Sequence, residues 1–372
     1  MRCLLAVLVW SMLAQFASAQ TNYIHVSVQS NIDTTNADIR SVIQVWERYL
    51  NARPDSSYAN PYWVESEQRH YNPFDLAGHT WWNMYYGIGY YKASVLSVSV
   101  SDSAFILRTM FYGRDSNEFS VRNIFQVAAR FENGSYKLCN VLPINSRYWH
   151  KEEVGSIKFV FPPDHEFNRP LAEHMNRFID SLATLWHLKI KPTQYYFADN
   201  LDRVCKVLGM DYWPAEGNIS GPRGFVDSHN WIIYSGGSNE WYPHEFVHIY
   251  INPLFPGASR YFLEGYATLL GGTGGHDLLW HIRRNYGYLR DHPEVDVLQF
   301  KGVDMYVDPN YFIGGLVCKM AEEKGGLPLI RKLMTYGNGD ADFYKAVQDV
   351  FGVDKKDLGA FLRQKLSEYA LR

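Results

Sequence analysis

The chain has 372 residues, of which 47% are hydrophobic and 20% are charged, so it is long enough to bury a substantial core in one or two domains. Its formal net charge of −3 gives no electrostatic basis for binding nucleic acid or an anionic membrane surface. We therefore expect no nucleic-acid partner.

The chain begins with the pattern of an export signal. Arg2 supplies a positive start, Leu4–Leu13 is a short apolar run, and Ala17–Ala19 matches an A-x-A cleavage site. The run is too short to cross a bilayer, and no later segment is apolar for long enough to do so. We therefore predict that residues 1–19 are a cleaved signal peptide and that no transmembrane segment remains. The protein is then exported, to the periplasm, the cell exterior or the medium.

Three cysteines follow the predicted signal: Cys139, Cys205 and Cys318. Their wide, irregular spacing matches no C-x-x-C metal motif and allows at most one disulfide. We expect them to be small buried apolar residues, so the fold must depend on its core.

Residues 20–150 predict an accessory α+β domain. Apolar residues at helical spacing indicate an amphipathic helix, with Asn36 as its N-cap: Ile39, Val42, Ile43, Trp46 and Leu50. Strand-like runs follow at 95–100, 105–112, 124–131 and 136–142, and Asn133–Gly134 is typical of a hairpin turn between the last two. One helix on a curved antiparallel sheet resembles the cone-shaped nuclear-transport-factor-2-like (NTF2-like) domains. That resemblance implies an accessory or positioning role.

Residues 151–372 predict a second α+β domain with a small sheet and a mostly helical C-terminal half. The predicted elements are a strand at 156–161, a helix at 171–185, a strand at 193–197, a helix at 201–208, a loop at 214–224 and a strand at 231–234. From Tyr242 onward the pattern is almost wholly helical. Because 231–234 directly precedes this half, two interpretations stay open: an ordinary edge strand, or an edge to which an extended substrate adds.

The segment His244–His248 reads H-E-x-x-H. On a helix, residues four apart lie on one face, so the imidazoles of His244 and His248 can reach one zinc ion. Glu245 points about 100° round the helix, towards an open coordination position. From there it can accept a proton from a water that zinc has made acidic and pass it to the leaving amine.

A third ligand is predicted sixteen residues after His248, at Glu264, in the apolar segment FLEGYA. The intervening Asn252–Gly257 is rich in proline and glycine, which predicts helix, turn, helix. This arrangement returns Glu264 to the two histidines. Two histidines and one glutamate match catalytic zinc sites that keep one position open for water.

These motifs resemble the gluzincin metallopeptidases, especially their aminopeptidase-like and peptidase MA-like catalytic domains. The resemblance rests on HEFVH, FLEGYA and the helical continuation, and covers roughly residues 156–370. It implies a zinc-dependent peptidase acting on a peptide or protein substrate, with Glu264 as the third zinc ligand. It further implies that Tyr311, in NYFIGG, stabilises the oxyanion; Tyr306 is its nearest rival.

Two alternatives remain open on sequence: a non-catalytic binding module, and a structural protein in which the motif is accidental and Glu264 and Tyr311 are coincidences. A non-catalytic peptide- or protein-binding module could retain this fold for its shape, although loss of Glu245 would be the simplest mark of such a protein. The Gly-x-Met-Glu-Asn element with which the best-known aminopeptidases bind a free amine is missing, and Gly224–Asp227 is at most a distant echo. The sequence therefore favours a peptidase without favouring an aminopeptidase. The remaining histidines, including His229, His276, His281 and His292, lack ligand spacing and are expected to be structural or surface residues.

Overall fold

The computed structural model describes residues 24–52, 61–68, 91–101, 103–115, 118–212, 223–228, 230–300 and 306–372. The predicted signal peptide lies outside these ranges, as does most of the predicted loop at 214–224. The described residues form two β-sheets and a C-terminal half that is mostly helical. Two compact units are present: Met1–Asn145 with Lys206–Ala215, and Ser146–Cys205 with Glu216–Arg372.

The first unit contains a six-stranded sheet. Its strands are β1 (Val26–Val28), β2 (Tyr91–Ser101), β3 (Ala104–Asp115), β4 (Glu118–Glu132), β5 (Ser135–Cys139) and β9 (Met210–Tyr212). β2 to β5 form an antiparallel meander, β1 adds in parallel to β2, and β9 pairs with β4. Asn133 and Gly134 have φ values of 51° and 83°, as the predicted two-residue hairpin turn requires.

A long amphipathic helix, α1 (Ala37–Ala52), packs on this sheet. The Asn36 side chain accepts hydrogen bonds from the backbone N–H groups of Asp38 and Ile39, at 2.8 and 3.1 Å, so the predicted N-cap is confirmed. Trp46 of α1 meets Phe111 of β3 edge-on, with ring centroids 6.4 Å apart. Two short helices complete the described part of this unit: α2 (Glu65–Gln68) and α3 (Leu142–Asn145).

The second unit opens with a five-stranded sheet. Its strands are β6 (His150–Val154), β7 (Ile157–Phe161), β8 (Thr193–Ala198), β10 (Arg223–Asp227) and β11 (Ile232–Gly236), in the order β10-β11-β8-β7-β6. The three central strands are parallel and both outer strands are antiparallel to their neighbours. Two helices lie along the chain between these strands: α4 (Arg169–Trp186) and α5 (Leu201–Val207).

The prediction that 231–234 forms a sheet edge is wrong. β11 lies between β8 and β10, and all five of its residues are buried. The edge is β10, part of which fell in the predicted loop. The β10 sequence, RGFVD, does not alternate apolar and polar residues, and all five residues are partly exposed. The strand therefore lacks the pattern by which a half-buried strand is recognised in a sequence.

The rest of the unit is helical: α6 (Pro243–Ile251), α7 (Arg260–Gly271), α8 (Leu278–Asp291), α9 (Pro309–Met334), α10 (Asp340–Phe351) and α11 (Leu358–Ala370), with 3-10 turns at Asn252–Leu254 and Lys355–Asp357. Non-helical backbone at Gly325 and Gly326 interrupts α9. Cys139, Cys205 and Cys318 are buried, as predicted, and none of them is in a disulfide. Among the described residues, none of the helices combines the length and apolar character that a membrane crossing requires.

Candidate metal centre

Helix α6 carries the H-E-x-x-H segment through the core of the second unit. Pro243 occupies its first turn, where a missing backbone N–H costs nothing. Every residue from Pro243 to Ile251 is buried. A helix that is apolar on most sides buries well, but its polar side chains then need partners. The partners of His244, Glu245 and His248 therefore decide what this helix does.

The structure brings the side chains of His244, His248 and Glu264 together. The Nε2 atoms of the two histidines are 3.1 Å apart, and Glu264 Oε2 lies 3.1 Å from His248 Nε2 and 3.4 Å from His244 Nε2. A tetrahedral zinc site with bonds of about 2.0–2.1 Å has ligand atoms about 3.3–3.4 Å apart. The three atoms thus have the spacing and the chemistry of a two-histidine, one-glutamate zinc site.

The opposite ring nitrogens are held by acceptors. His244 Nδ1 lies 2.6 Å from the carbonyl oxygen of Gly272, and His248 Nδ1 lies 3.2 Å from Oδ1 of Asn252. Both partners only accept hydrogen bonds, so each Nδ1 donates its proton and, in the neutral ring, each Nε2 presents a lone pair to the cluster. Metal-binding histidines are oriented by partners of this kind.

Glycines allow the helices around the cluster to approach closely. A Cβ on Gly265 would lie 2.1 Å from the carbonyl carbon of Gly314, so α7 and α9 touch through their backbones. A Cβ on Gly271 would lie 2.5 Å from the backbone nitrogen of His244, which brings the end of α7 against the start of α6. These contacts hold Glu264 on α7 close to the histidines of α6.

Burial and charge shift the pKa values of the cluster. Burial opposes the charged form of Glu264, but hydrogen bonds from His244 and His248 outweigh it and hold the pKa of that carboxyl well below its usual range. Burial also lowers the pKa of His248, yet its hydrogen bond to Glu264 and the Glu264 charge outweigh this and raise that pKa to about 9. Glu264 is therefore ionised at neutral pH and available as a ligand.

Glu245 lies beside the cluster. Burial raises the pKa of its carboxyl, against the opposing charges of His244 and His248. A Cβ on Gly224 would lie 2.8 Å from Glu245 Cγ, so strand β10 runs directly over this side chain. A buried carboxylate with a raised pKa is a suitable general base at neutral pH.

Of the two candidate tyrosines, Tyr311 lies at the cluster. Its ring meets that of His244 at 64°, with centroids 6.1 Å apart. Burial and the charge of Glu264 raise the pKa of its phenol, so the hydroxyl keeps its proton and can donate it in a hydrogen bond. Tyr306 instead packs against His276 and Trp280, with centroids 5.5 and 5.2 Å away.

The histidines outside the motif have other environments. His281 is buried and its Nε2 lies 2.9 Å from the carbonyl oxygen of Thr273. His276 stacks on Trp280, and His292 stacks on Tyr288. His229 lies outside the described residues. Within the described residues, His244, His248 and Glu264 form the one group of three or more histidine, cysteine or acidic side chains placed to hold a metal.

A cavity of about 660 Å³ lies beside this centre, and its lining includes Tyr242, Pro243, Gly271 and Gly272. It contacts Gly272, whose carbonyl oxygen is the partner of His244 Nδ1, and Pro243, which precedes His244. Tyr242 also lies close to strand β10, because a Cβ on Gly224 would lie 2.8 Å from the Tyr242 ring. There is thus open space beside the residues that flank the start of α6 and the end of α7.

Sequence reasoning missed three contributors to this centre: Asn252, Gly272 and Arg260. Arg260 precedes Glu264 by one helical turn, and its Nε lies 3.5 Å from Glu264 Oε1. That spacing is a recognisable signal for an ion pair on a helix. Asn252 follows His248 by four residues, which is likewise a local helical spacing. Gly272 acts through a contact that depends on how the chain folds back, for which the sequence carries no local signal.

No protein-family model matches the chain, and no curated protein matches it. Among solved structures, it is similar to an M1 zinc metallopeptidase from Deinococcus radiodurans, with 13% identity, a TM-score of 0.28, and coverage of 75% of this chain and 62% of that one. A mutant of a two-domain M1 zinc metallopeptidase bound to L-tryptophan gives 12% identity, a TM-score of 0.28 and the same coverage. The chain therefore spans less than two thirds of the length of these proteins.

Proposed function

We propose that this chain is an exported zinc-dependent peptidase of the gluzincin type. In this proposal the second unit, within residues 151–372, forms the catalytic domain, and the first unit, with most of residues 20–150, forms an NTF2-like accessory domain. The observation that carries the proposal is the convergence of His244 Nε2, His248 Nε2 and Glu264 Oε2, whose mutual distances are 3.1, 3.1 and 3.4 Å. Glu245, buried beside them with a raised pKa, adds a group that a purely structural metal site does not need.

Each side chain has a separate task in peptide hydrolysis. His244, His248 and Glu264 would hold the zinc, which would polarise the scissile carbonyl and make a water molecule acidic enough to attack it. Glu245 accepts the proton that this water loses and delivers it to the leaving amine. The Tyr311 hydroxyl donates a hydrogen bond to the oxygen on which negative charge develops, a contribution of about 2.7–4 kcal/mol for one such donor.

Strand β10 is the element on which an extended peptide would lie. It is the outer strand of its sheet, and among the described residues no strand pairs with its free edge. It also crosses directly over Glu245 at Gly224. Addition of an extended peptide to this edge would place a peptide bond close to the general base, with the adjoining cavity receiving a side chain.

The test is the substitution Glu245→Gln in the purified protein. The amide cannot accept the proton, so cleavage of a mixed peptide library should fall by at least about 10²–10⁴-fold while the zinc content stays unchanged. Glu322→Gln serves as the control because Glu322 is a partly exposed carboxylate on α9 that pairs with Lys319. If wild-type protein binds peptides and cleaves none, the alternative of a non-catalytic binding module is correct.

A further inference from the structure

Arg260 lies beside two residues of the proposed catalytic centre, Glu264 and Tyr311. Its Nε lies 3.5 Å from Glu264 Oε1, while the other carboxylate oxygen, Oε2, faces the histidines. Tyr311 also lies near enough to the guanidinium to interact with it electrostatically. The positive charge of Arg260 thus lies on one side of the Glu264 carboxylate, and the histidines lie on the other. None of the other ion pairs of the described residues brings a Lys or Arg side chain to Glu264.

The guanidinium retains capacity for a further partner. Arginine has five N–H donors in a planar fork, and among the described residues the contact with Glu264 leaves part of that fork unused. The Arg260 side chain is 66% exposed, so the remaining donors are accessible from solvent. Among the described residues Asp308 is another charged group nearby, and its Oδ1 accepts hydrogen bonds from the backbone N–H and the side-chain amide of Asn310, at 2.9 and 2.7 Å. That carboxylate therefore serves as the N-cap of α9.

A planar fork with free donors beside a hydrolytic centre is suited to a carboxylate. The Arg260 Nε atom is 3.5 Å from Glu264 Oε1, and one residue of extended chain spans at most about 3.3–3.6 Å, so the two lengths are of the same scale. A free amino terminus at the same place would be repelled by the guanidinium. The unused donors thus discriminate between the two ends of a peptide.

We propose that Arg260 binds the free C-terminal carboxylate of the substrate, so that the enzyme removes residues from the C-terminal end of peptides. This inference rests on the proposed peptidase function and specifies its substrate class. The reaction adds one water across one peptide bond: the water oxygen joins the carbonyl carbon, the C–N bond breaks, and Glu245 carries a proton to the departing amine. The products are a shortened peptide and a free amino acid.

The test compares two substrates with two forms of the enzyme. One peptide carries an acetylated N-terminus and a free C-terminal carboxylate, and the other is identical except for a C-terminal amide. Wild-type enzyme should cleave the last bond of the acid with a kcat/KM roughly 10- to 100-fold above that for the amide, because a hydrogen-bonded charge pair is lost in the amide. Arg260→Gln should abolish the preference, so that kcat/KM for the acid falls to the value that the same variant gives for the amide. Arg260→Lys, which keeps the charge, should retain part of the preference.

Arg290→Gln is the matched control, because it removes an exposed arginine whose ion pair is with Asp291 on α8. It should leave both rates unchanged. Equal cleavage of acid and amide by wild-type enzyme would overturn the inference while leaving the peptidase proposal intact. An equal loss on both substrates in Arg260→Gln at full zinc content would also overturn it, because Arg260 would then act only by positioning Glu264 and Tyr311. Cleavage of neither peptide, nor of any other, by zinc-loaded wild-type protein would instead refute the peptidase function itself.

Discussion

Replacing Gly265 with alanine tests how the helices build the centre. The added Cβ would lie 2.1 Å from the carbonyl carbon of Gly314, 2.5 Å from its oxygen and 2.6 Å from the nitrogen of Gly315. All three are backbone atoms, so no side chain can rotate away. Ordinary contact begins at 3.4 Å, so α7 and α9 would have to separate by roughly 1 Å.

This separation has two expected effects. Overpacking costs about 1–3 kcal/mol, whereas alanine in place of glycine in a helix gains about 0.5–1 kcal/mol. The free energy of unfolding should therefore fall by up to about 2.5 kcal/mol. Glu264 and Tyr311 lie on the two helices being separated, and a displacement of about 1 Å at a catalytic group costs about 10²-fold in rate. We expect kcat/KM to fall by that factor, well beyond the effect on stability.

Urea unfolding followed by tryptophan fluorescence, zinc analysis and peptide hydrolysis measure these effects together. Gly287→Ala is the matched control, because Gly287 lies in helix α8 and a Cβ there meets nothing within 4 Å. That variant should be more stable by about 0.5–1 kcal/mol and fully active. The reasoning is refuted if Gly265→Ala is as stable as wild type and hydrolyses peptides at the wild-type rate.

Tyr311→Phe removes the proposed oxyanion donor and should lower kcat by about 10²–10³-fold at unchanged zinc content. Tyr306→Phe should leave kcat near wild type. Equal effects of the two substitutions in peptide hydrolysis assays would contradict the assignment. Zinc binding should depend on pH, because the pKa of His248 is raised from its ordinary value near 6.5 to about 9 and the bound form requires a neutral imidazole. Below the raised pKa, zinc uptake releases about one proton, so the apparent affinity should rise roughly tenfold per pH unit between pH 7 and 8. The same shift stabilises the zinc-free protein fully below about pH 6.5, and this stabilisation is lost as the pH rises through about 9. Calorimetric titrations in buffers of different ionisation enthalpy measure the proton release, and a pH-independent affinity would contradict it.

The local patterns of the sequence predicted most elements and the grouping at the centre. Helix α1 with its Asn36 cap, the hairpin at Asn133–Gly134 and the return of Glu264 to α6 all depend on short-range spacing. Such features follow from helical periodicity and turn chemistry, which a single sequence carries.

Features that depend on distant parts of the chain were not predictable. The order β10-β11-β8 is set by pairing between separate segments, of which β10 has a weak pattern, so the edge strand was assigned one strand too far inward. β9 pairs with β4 although its residues follow the predicted domain boundary by about sixty positions. Gly265 and Gly314 are interior helix residues, where glycine is ordinarily unfavourable, and only the helix packing reveals why they are there.

Zinc content is the most direct test of the central claim. Purified wild-type protein should hold about one zinc per chain after dialysis against metal-free buffer. Inductively coupled plasma mass spectrometry measures this content. His244→Ala should lose that zinc, because it removes one of the three ligand atoms, whereas His292→Ala should keep it, because His292 stacks on Tyr288 away from the motif. Wild-type protein without zinc, or a His244→Ala variant that binds zinc as tightly as wild type, would contradict the account.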